Sequence, residues 1–286
     1  MAFKDESEDL SCPWSLDDDE LLVKHITLEA GRIALSYFAR DCSQWSKSND
    51  TPVSEADIAV DTFLRSTLSQ NRTGYGWLSE ETEDAPDRLR CGRLWVVDPI
   101  DGTRAFLANG DDWCVSVALV QNRRPVIAAL YAPVKNAFYF ARAGCGASKN
   151  GMPIHVAETR TLDRARMMGH EPSFRQHALW PTPWPETMEC QEVNSIALRL
   201  AQIADGQFDA CVTLRPKNDW DMAAADLILK EAGGTVTNAH GDPLEFNHKK
   251  PLHEHIVASI PSLNSSILER VQPALDLWKQ SSERAP

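Results

Sequence analysis

The sequence predicts a mixed chain of the α/β (α+β) class, and three observations lead to this prediction. Residues 16–39 and the run VSEADIAVDTFLRSTL repeat apolar side chains at helical spacing. Residues 113–156 contain short β-rich runs instead. After Cys190, helix and strand patterns alternate along the chain.

Composition favours a globular protein without a polyanionic partner. The 286 residues are 43% hydrophobic and 24% charged, which suffices for a sizeable core. The 29 lysine and arginine residues stand against 41 aspartate and glutamate residues, a net charge of −12. Such a field repels nucleic acid and anionic lipid, so we expect neither as a partner.

Targeting signals and cysteine usage point to the cytoplasm. The acidic start MAFKDESEDL lacks a cationic region before an apolar stretch, and no apolar run approaches the roughly 20 residues of a spanning helix. The seven cysteines form no C-x-x-C pair, which predicts reduced thiols. We expect a soluble cytoplasmic protein without a membrane segment.

The N-terminal half begins with the two helices and continues as a meander of strands. The runs WCVSVALV, PVIAALYAP and NAFYFARAG read as consecutive antiparallel strands. An Asn150-Gly151 pair after them favours a tight hairpin turn.

Residues 159–190 read as an irregular connection, because WPTPWPE carries three prolines in seven residues. We place a boundary there, between an N-terminal half (1–158) and a C-terminal half (159–286) that completes one unit. NSIALRLAQIADG then predicts a helix, FDACVTL a strand and DWDMAAADLILKEAGG a helix ended by glycines. A last helix covers residues 262–279.

The stretch LWVVDPIDGT sets two carboxylates at the end of a strand. Pro99 is expected to end the strand ladder and Gly102 to allow a tight bend, so that Asp98 and Asp101 converge. Two unpaired carboxylates at short range repel unless they share a proton or bind a cation, and hard oxygen ligands favour magnesium. The alternative is that Asp-Pro and Asp-Gly are ordinary turn dipeptides.

More carboxylates lie upstream and downstream. WLSEET contains Glu80 and Glu81, and NDWDMAAADL begins a helix with Asp219 and Asp221. Each alone could be a solvated loop charge or a helix cap. Together with the Asp-x-x-Asp turn they could form an oxygen cage for two or more divalent ions, as phosphoryl-transfer enzymes use.

Four segments then carry a resemblance. SEADIAVD, WLSEET, WVVDPIDGT and WDMAAADLILKEAGG, in this order across residues 54–234, resemble the signatures of the inositol monophosphatase superfamily of Mg²⁺-dependent, lithium-sensitive phosphomonoesterases. The resemblance covers nearly the whole chain. It implies a layered α-β-α-β-α sandwich, a small phosphate monoester as substrate and assembly as a homodimer.

The resemblance also implies a set of metal ligands. Glu80, Asp98 and the backbone carbonyl of Ile100 would bind a first Mg²⁺. Asp98, Asp101 and Asp221 would bind a second, and a third, weaker ion would depend on Glu80. We therefore expect two or three Mg²⁺ ions in the active site.

The same matching implies the catalytic residues. Thr103, Asp57 and Glu80 would orient and deprotonate the attacking water, and the backbone N–H groups of Gly102 and Thr103 would bind the phosphate. Asp57 has a second interpretation, because Ser54 and Asp57 before an apolar helix also fit a capping box.

Substrate choice depends on basic residues near these motifs. Arg104 after the threonine is similar to the pattern of the 3′(2′),5′-bisphosphate nucleotidases, as is ALYAPVKNAFY. Arg199 and Lys217 would supply cations for a second phosphate. The chain departs from that branch in ANGDDWCVSVALV and in Asn194-Ser195. The predicted substrate contacts are Gly102, Thr103, Arg104, Ser195, Arg199 and Lys217.

The sequence thus predicts a phosphomonoesterase that removes the 3′-phosphate of adenosine 3′,5′-bisphosphate. An inositol-1-monophosphatase, or a phosphatase for another sugar or alcohol phosphate, is the first alternative. A non-catalytic regulator that binds a macromolecular partner on the same fold is the second.

Overall fold

The structure, a computed structural model, describes residues 14–40, 44–46, 52–158, 160–176 and 179–283. The acidic N-terminal start, Cys12 and Cys42 lie outside the described residues. Among the helices of the described ranges, none combines the length and the apolar character that crossing a membrane requires.

The helices follow the predicted order. In the described residues they are α1 (Leu16–Tyr37), α2 (Glu55–Asn71), α3 (Thr103–Leu107), α4 (Glu171–Arg175), α5 (Ile196–Ala204), α6 (Asp219–Glu231) and α7 (Pro261–Glu283). Short 3-10 helices span Pro86–Arg90 and Leu162–Arg164. The predicted helices at residues 16–39, at NSIALRLAQIADG and at DWDMAAADLILKEAGG are therefore confirmed.

The larger sheet has seven strands in chain order. They are β3 (Gly76–Ser79), β4 (Arg93–Asp101), β5 (Cys114–Gln121), β6 (Arg124–Ala132), β7 (Ala137–Arg142), β8 (Ala147–Lys149) and β9 (Met152–Ile154). Only β3 and β4 pair in parallel among them, so the predicted antiparallel meander is confirmed. Asn150 and Gly151 form its last turn with φ of 51° and 80°.

The smaller sheet has five strands in the order β11-β10-β12-β16-β14. These strands are β10 (Arg166–Met168), β11 (Glu189–Gln191), β12 (Ala210–Thr213), β14 (Thr235–Thr237) and β16 (Ile256–Ser259). Two-stranded ladders join β1 (Gln44–Ser46) to β2 (Pro52–Ser54) and β13 (Lys217–Asn218) to β15 (Leu252–His253).

Helices and sheets alternate in layers. Helices α1 and α2 pack on one face of the larger sheet, and α5 and α6 pack on its other face and on the smaller sheet. Helix α7 packs against β16. Strand β4 lies between two apolar clusters: Trp95 and Val97 face the α1 side, and Leu94 and Val96 face the α6 side. The predicted α-β-α-β-α sandwich is confirmed.

The interpretation of residues 159–190 as an irregular connection was correct only in part: the proline-rich stretch is irregular, but the segment also contains short elements. The segment contains β10, which lies between β11 and β12 inside the smaller sheet. It also contributes Phe174, Trp180 and Trp184, which are buried against one another. The prolines prevent regular secondary structure in this stretch, but its aromatic side chains are still buried in the core. The boundary at residues 158 and 159 stays a prediction.

Candidate active site

The carboxyl end of β4 carries Asp98 and Asp101 on either side of a bulge. Asp98 pairs with Ser116 and Asp101 with Cys114, so an extra residue is accommodated between them. Pro99 was expected to end the ladder, and this was wrong: the bulge absorbs the missing N–H donor and pairing resumes. The N–H of Ile100 donates to Asp98 Oδ1 over 3.0 Å, which turns that carboxylate back over the bulge.

Asp101 is held by the beginning of α5. The backbone N–H of Ala197 donates to Asp101 Oδ2 over 2.7 Å, and the Ser195 hydroxyl donates to the same oxygen. Ser195 is also the N-cap of α5, because its hydroxyl accepts from the N–H of Leu198. A helix start thus fixes the orientation of this carboxylate.

Asp221 reaches the same point from α6. It lies in the first turn of that helix and accepts a hydrogen bond of 2.6 Å from the N–H of Asn218, as in a capping box. Ligand oxygens of Asp98, Asp101 and Asp221 all lie within 4.8 Å of one another. Strand β4 and helix α6, distant in sequence, therefore meet in one acidic cluster.

Glu80 lies beside this cluster at the end of β3. Its N–H donates to the Val97 carbonyl over 3.4 Å, which joins the turn after β3 to β4. Its side chain is half-buried and does not belong to the group of ligand oxygens within 4.8 Å. Its charge nevertheless helps to raise the pKa values of Asp98, Asp101 and Asp221.

Burial and mutual repulsion make the ionised cluster unfavourable without a counter-charge. Burial raises the pKa of Asp98 well above its ordinary value, and the charges of Glu80, Asp101 and Asp221 add to this. The pKa of Asp221 rises to about 7, chiefly because of burial, although the Lys217 ammonium opposes the rise. Protons or cations must compensate these carboxylates at neutral pH.

The cluster suits a divalent cation. Asp98 Oδ2 is buried and has no hydrogen-bond partner among the described residues. An orphaned carboxylate oxygen is costly unless an ion or a proton satisfies it. Because the donors are all hard oxygens, they fit cations such as Mg²⁺, Mn²⁺ or Ca²⁺ rather than soft metals.

Asp57 forms the capping box of α2 and also contacts Thr103. Its Oδ2 accepts from the N–H and hydroxyl of Ser54 over 2.8 and 2.6 Å, which is the capping box of α2. Its Oδ1 accepts from the Thr103 hydroxyl over 3.2 Å. That hydroxyl also lies 3.0 Å from the Ile100 carbonyl oxygen. Burial raises the pKa of Asp57, the Ser54 bonds oppose this, and the charge of Glu80 adds to it.

Gly102 forms the turn that brings Thr103 into this position. Its φ of 99° is a left-handed conformation that side chains strongly disfavour. A Cβ here would lie 2.5 Å from the Asp112 carbonyl oxygen. The glycine therefore serves both the backbone conformation and the close approach of the following loop.

A cavity of about 550 Å³ opens beside the cluster, between β12, the start of α5 and α4. Its cationic lining residues are Arg104, Arg199, Arg215 and Lys217. Arg104 directly follows Thr103, and Lys217 is near enough to lower the pKa values of Asp101 and Asp221. Arg199 is anchored, because its Nε donates to the Val193 carbonyl over 2.6 Å.

The structure brings together Arg104, Arg199 and Lys217 of the predicted substrate contacts. Ser195 differs: its side chain is fully buried and its hydroxyl is bonded to Asp101, so it supports the acidic cluster instead of facing the cavity. Arg215 was missed by sequence reasoning. Its spacing of two residues from Lys217 in LRPKND could have indicated that both face one side of an extended segment.

Layers of helices around two mixed sheets, with an acidic cluster suited to divalent cations, are compatible with an enzyme that acts on phosphate esters. The model of the inositol monophosphatase family matches residues 17–275. The chain therefore belongs to the inositol monophosphatase family, and it is a phosphoric monoester hydrolase.

Curated relatives with different names match at similar identity. The 3′(2′),5′-bisphosphate nucleotidase CysQ of Haemophilus influenzae is 27% identical over 235 residues, which cover 79% of this chain and 87% of the relative. The Nus factor SuhB of Pasteurella multocida is 30% identical, with 85% and 91% covered. The inositol-1-monophosphatase of Bacillus subtilis is 27% identical, with 88% and 95% covered. These similarities give the family and leave the substrate open.

Solved structures agree with the fold. An IMPase of Thermotoga maritima superposes with a TM-score of 0.77 at 24% identity, with 91% of this chain and 98% of that chain covered. The extragenic suppressor protein suhB of Bartonella henselae superposes with a TM-score of 0.75 at 25% identity, with 89% and 98% covered.

Proposed function

We propose that this phosphatase is Mg²⁺-dependent and removes the 3′-phosphate of adenosine 3′,5′-bisphosphate. The observation that carries the proposal is the juxtaposition of the acidic cluster with a cavity lined by Arg104, Arg199, Arg215 and Lys217. A substrate with two phosphates needs one charged centre for the reacting group and a second for the other phosphate. An inositol ring with one phosphate needs hydroxyl partners in that place.

The proposal assigns the cations to the residues of the cluster. Glu80, Asp98 and the Ile100 carbonyl would hold one Mg²⁺, Asp98, Asp101 and Asp221 a second, and Glu80 would contribute to a third, weaker site. When bound, these ions supply charge neutralisation for the phosphate and acidify water. The orphaned Oδ2 of Asp98 supports this assignment, since it needs a positive partner.

The chain's own groups would orient the attacking water. The Thr103 hydroxyl donates either to Asp57 or to the Ile100 carbonyl, so one of its lone pairs can accept a proton of water. Asp57 holds Thr103 in place, and Glu80 would accept the proton released by water. The backbone N–H groups of Gly102 and Thr103 would donate to the phosphate, as a left-handed turn before a helix allows.

Arg199 is the residue that we assign to the second phosphate. Its Nε is bonded to the Val193 carbonyl, which fixes the guanidinium plane at the cavity. A fixed, planar fork suits a phosphate better than a mobile ammonium group does. Arg104 and Arg215 are exposed at the same cavity and would add further donors.

Two alternatives remain, each favoured by a named relative. The Bacillus subtilis relative supports inositol 1-phosphate or another sugar phosphate as substrate. The Pasteurella multocida relative, named as a Nus factor, supports a regulatory role on the same fold. We also propose that the chain forms a homodimer, which light scattering of the purified protein tests by its mass.

A phosphate-release panel tests the substrate. The purified protein is assayed with adenosine 3′,5′-bisphosphate, inositol 1-phosphate, fructose 1,6-bisphosphate and histidinol phosphate at fixed Mg²⁺ and ionic strength. We expect the highest kcat/KM for the nucleotide. A higher kcat/KM for inositol 1-phosphate would replace the nucleotidase assignment, and no turnover of any phosphate monoester would favour the regulator.

A further inference from the structure

Asp61, a buried carboxylate outside the acidic cluster, closes the turn that carries Glu80. Its Oδ1 accepts from the Ser79 hydroxyl over 2.5 Å, and its Oδ2 accepts from the Thr82 hydroxyl over 2.8 Å. Ser79 precedes Glu80, and Thr82 follows it by two residues. One side chain of α2 therefore bonds to the turn on both sides of Glu80.

Backbone N–H groups of this turn also make hydrogen bonds. The N–H of Glu81 lies 3.5 Å from Ser79 Oγ, which accepts from it, and the N–H of Glu80 donates to the Val97 carbonyl over 3.4 Å. Both are long hydrogen bonds with a backbone N–H as the donor. The bonds to Asp61 are shorter, and they link the turn directly to α2.

The same face of α2 reaches Thr103. Asp57 and Asp61 are four residues apart, which puts them one above the other on a helix. Asp57 accepts from Thr103, and Asp61 accepts from the two hydroxyls beside Glu80. Helix α2 therefore contacts Thr103 through Asp57 and the turn that carries Glu80 through Asp61.

We propose that Asp61 is a positioning residue, which holds Glu80 at the distance from the acidic cluster at which it completes the cation site. The inference rests on the proposed function, since it takes Glu80 as a ligand. Partners behind a metal ligand commonly change metal affinity by roughly 10- to 100-fold when they are removed. The competing interpretation is that Asp61 only stabilises the contact between α2 and β3.

Binding of Mn²⁺, followed by electron paramagnetic resonance, separates these interpretations without an activity assay. Mn²⁺ accepts the same oxygen ligands as Mg²⁺. We expect Asp61→Ala to weaken Mn²⁺ binding by roughly 10- to 100-fold. Asp61→Asn should stay within about threefold of wild type, because an amide can accept from one hydroxyl and donate to the other. A loss in Asp61→Asn as large as in Asp61→Ala would contradict the hydrogen-bond basis of the proposal.

A second variant covers the case in which Asp61→Ala does not fold. Thr82 is half-buried, and Thr82→Val removes one of the two hydrogen bonds while keeping the shape of the side chain. We expect Mn²⁺ binding about 3- to 10-fold weaker, the range of one hydrogen bond. In turnover, the Mg²⁺ concentration for half-maximal rate should rise while KM for the phosphate ester changes less than about twofold.

Asp205 provides the matched control. It is a nearly buried carboxylate that accepts from the Tyr139 hydroxyl and from the Lys149 ammonium, over 2.8 and 2.6 Å. Asp205→Asn should lower the Tm and leave Mn²⁺ affinity unchanged. If Asp61→Ala and Thr82→Val behaved in that way too, Asp61 would be a structural residue only and the inference would be overturned. Absence of Mn²⁺ binding by the wild type would instead overturn the proposed function, and the inference with it.

Discussion

At the residue scale, Asp98 is the point where the elements of the site converge. It is buried, its Oδ1 bonds to the Ile100 N–H, and its Oδ2 has no hydrogen-bond partner in the described part of the chain. The charges of Glu80, Asp101 and Asp221 all act on it. Such an oxygen lowers the stability of the protein but is suited to bind a cation. A substitution of Asp98 should therefore change stability and activity in opposite directions.

Asp98→Asn is expected to abolish turnover and to stabilise the protein in EDTA. The amide oxygen can still accept from the Ile100 N–H, but the side chain no longer carries the negative charge that binds a cation. We therefore expect kcat to fall by at least about 100-fold. Removing the repulsion should raise the Tm by about 2–4 °C for each kcal/mol gained. Phosphate release and thermal unfolding of the same preparation measure both effects, and a fully active variant would contradict the assignment of the cluster.

Arg199→Ala is expected to affect the two candidate substrates differently. Loss of a charge-assisted, bidentate contact costs about 1.5–3 kcal/mol, or about 10- to 100-fold in kcat/KM for adenosine 3′,5′-bisphosphate. Turnover of inositol 1-phosphate should change little. Arg65→Ala, an exposed arginine on α2, is the control for long-range steering of anions. Equal losses on both substrates would mean that Arg199 serves the reacting phosphate or the fold.

At the scale of elements, the site consists of the ends of β3, β4, α5 and α6. The bulge and the left-handed turn at Gly102 end β4 and begin α3, and this places Thr103 beside Asp57. A backbone N–H in the first turn of α5 binds Asp101, and the N–H of Asn218, the N-cap of α6, binds Asp221. Element ends therefore carry Asp98, Asp101 and Asp221, and Asp61 links the turn after β3 to α2.

Gly102→Ala is expected to impair both stability and activity. The methyl group would lie 2.5 Å from the Asp112 carbonyl, so the turn must shift in addition to adopting a strained φ. We expect about 1–3 kcal/mol lower stability and a lower kcat. Gly144→Ala is the control, because Gly144 has φ of 76° and no atom within 4 Å of the added methyl group. Urea unfolding and kcat of both variants measure the difference, and an equal effect would exclude the clash as the cause.

Sequence reasoning succeeded where the pattern is local. The run LWVVD is apolar on both faces because β4 lies between two cores, and the acidic motifs sit at element ends that turn residues mark. It missed β10 and the start of β11 within residues 159–190, because strands of three residues are too short to show a period. Asp61 was missed because its partners, Ser79 and Thr82, come from a separate segment that packing brings to α2.

At the scale of the whole molecule, the net charge of −12 and the buried group of carboxylates both make ionisation of these carboxylates less favourable. Burial raises the pKa values of Asp57, Asp98, Asp101 and Asp221, and also that of Asp226 on α6. The folded protein without cations therefore retains protons that the unfolded chain releases near pH 4. Stability and cation binding are coupled through these protons.

Stability in EDTA is expected to fall as the pH rises from about 5 to about 8. Stability falls because these carboxyl groups have higher pKa values in the folded protein than in the unfolded chain. Their contribution to stability is fully present below the unfolded-state pKa, and it is lost as the pH rises through the folded-state pKa. Asp221, with a folded pKa of about 7, sets the upper part of this range. Saturating Mg²⁺ should reduce the slope, and Asp221→Asn should reduce it in EDTA. Urea unfolding at several pH values measures this, and a stability that rises over the range would be inconsistent with the cluster's electrostatics.

The most direct test of the central claim, that the acidic cluster binds the divalent cations on which phosphate ester hydrolysis depends, is phosphate release with and without Mg²⁺. The best substrate of the panel is assayed in Mg²⁺, in EDTA and after Mg²⁺ is restored, and then with Ca²⁺ or Li⁺ added. We predict that EDTA abolishes turnover, that Mg²⁺ restores it, and that excess Ca²⁺ and Li⁺ inhibit it. Undiminished turnover in EDTA would contradict the account.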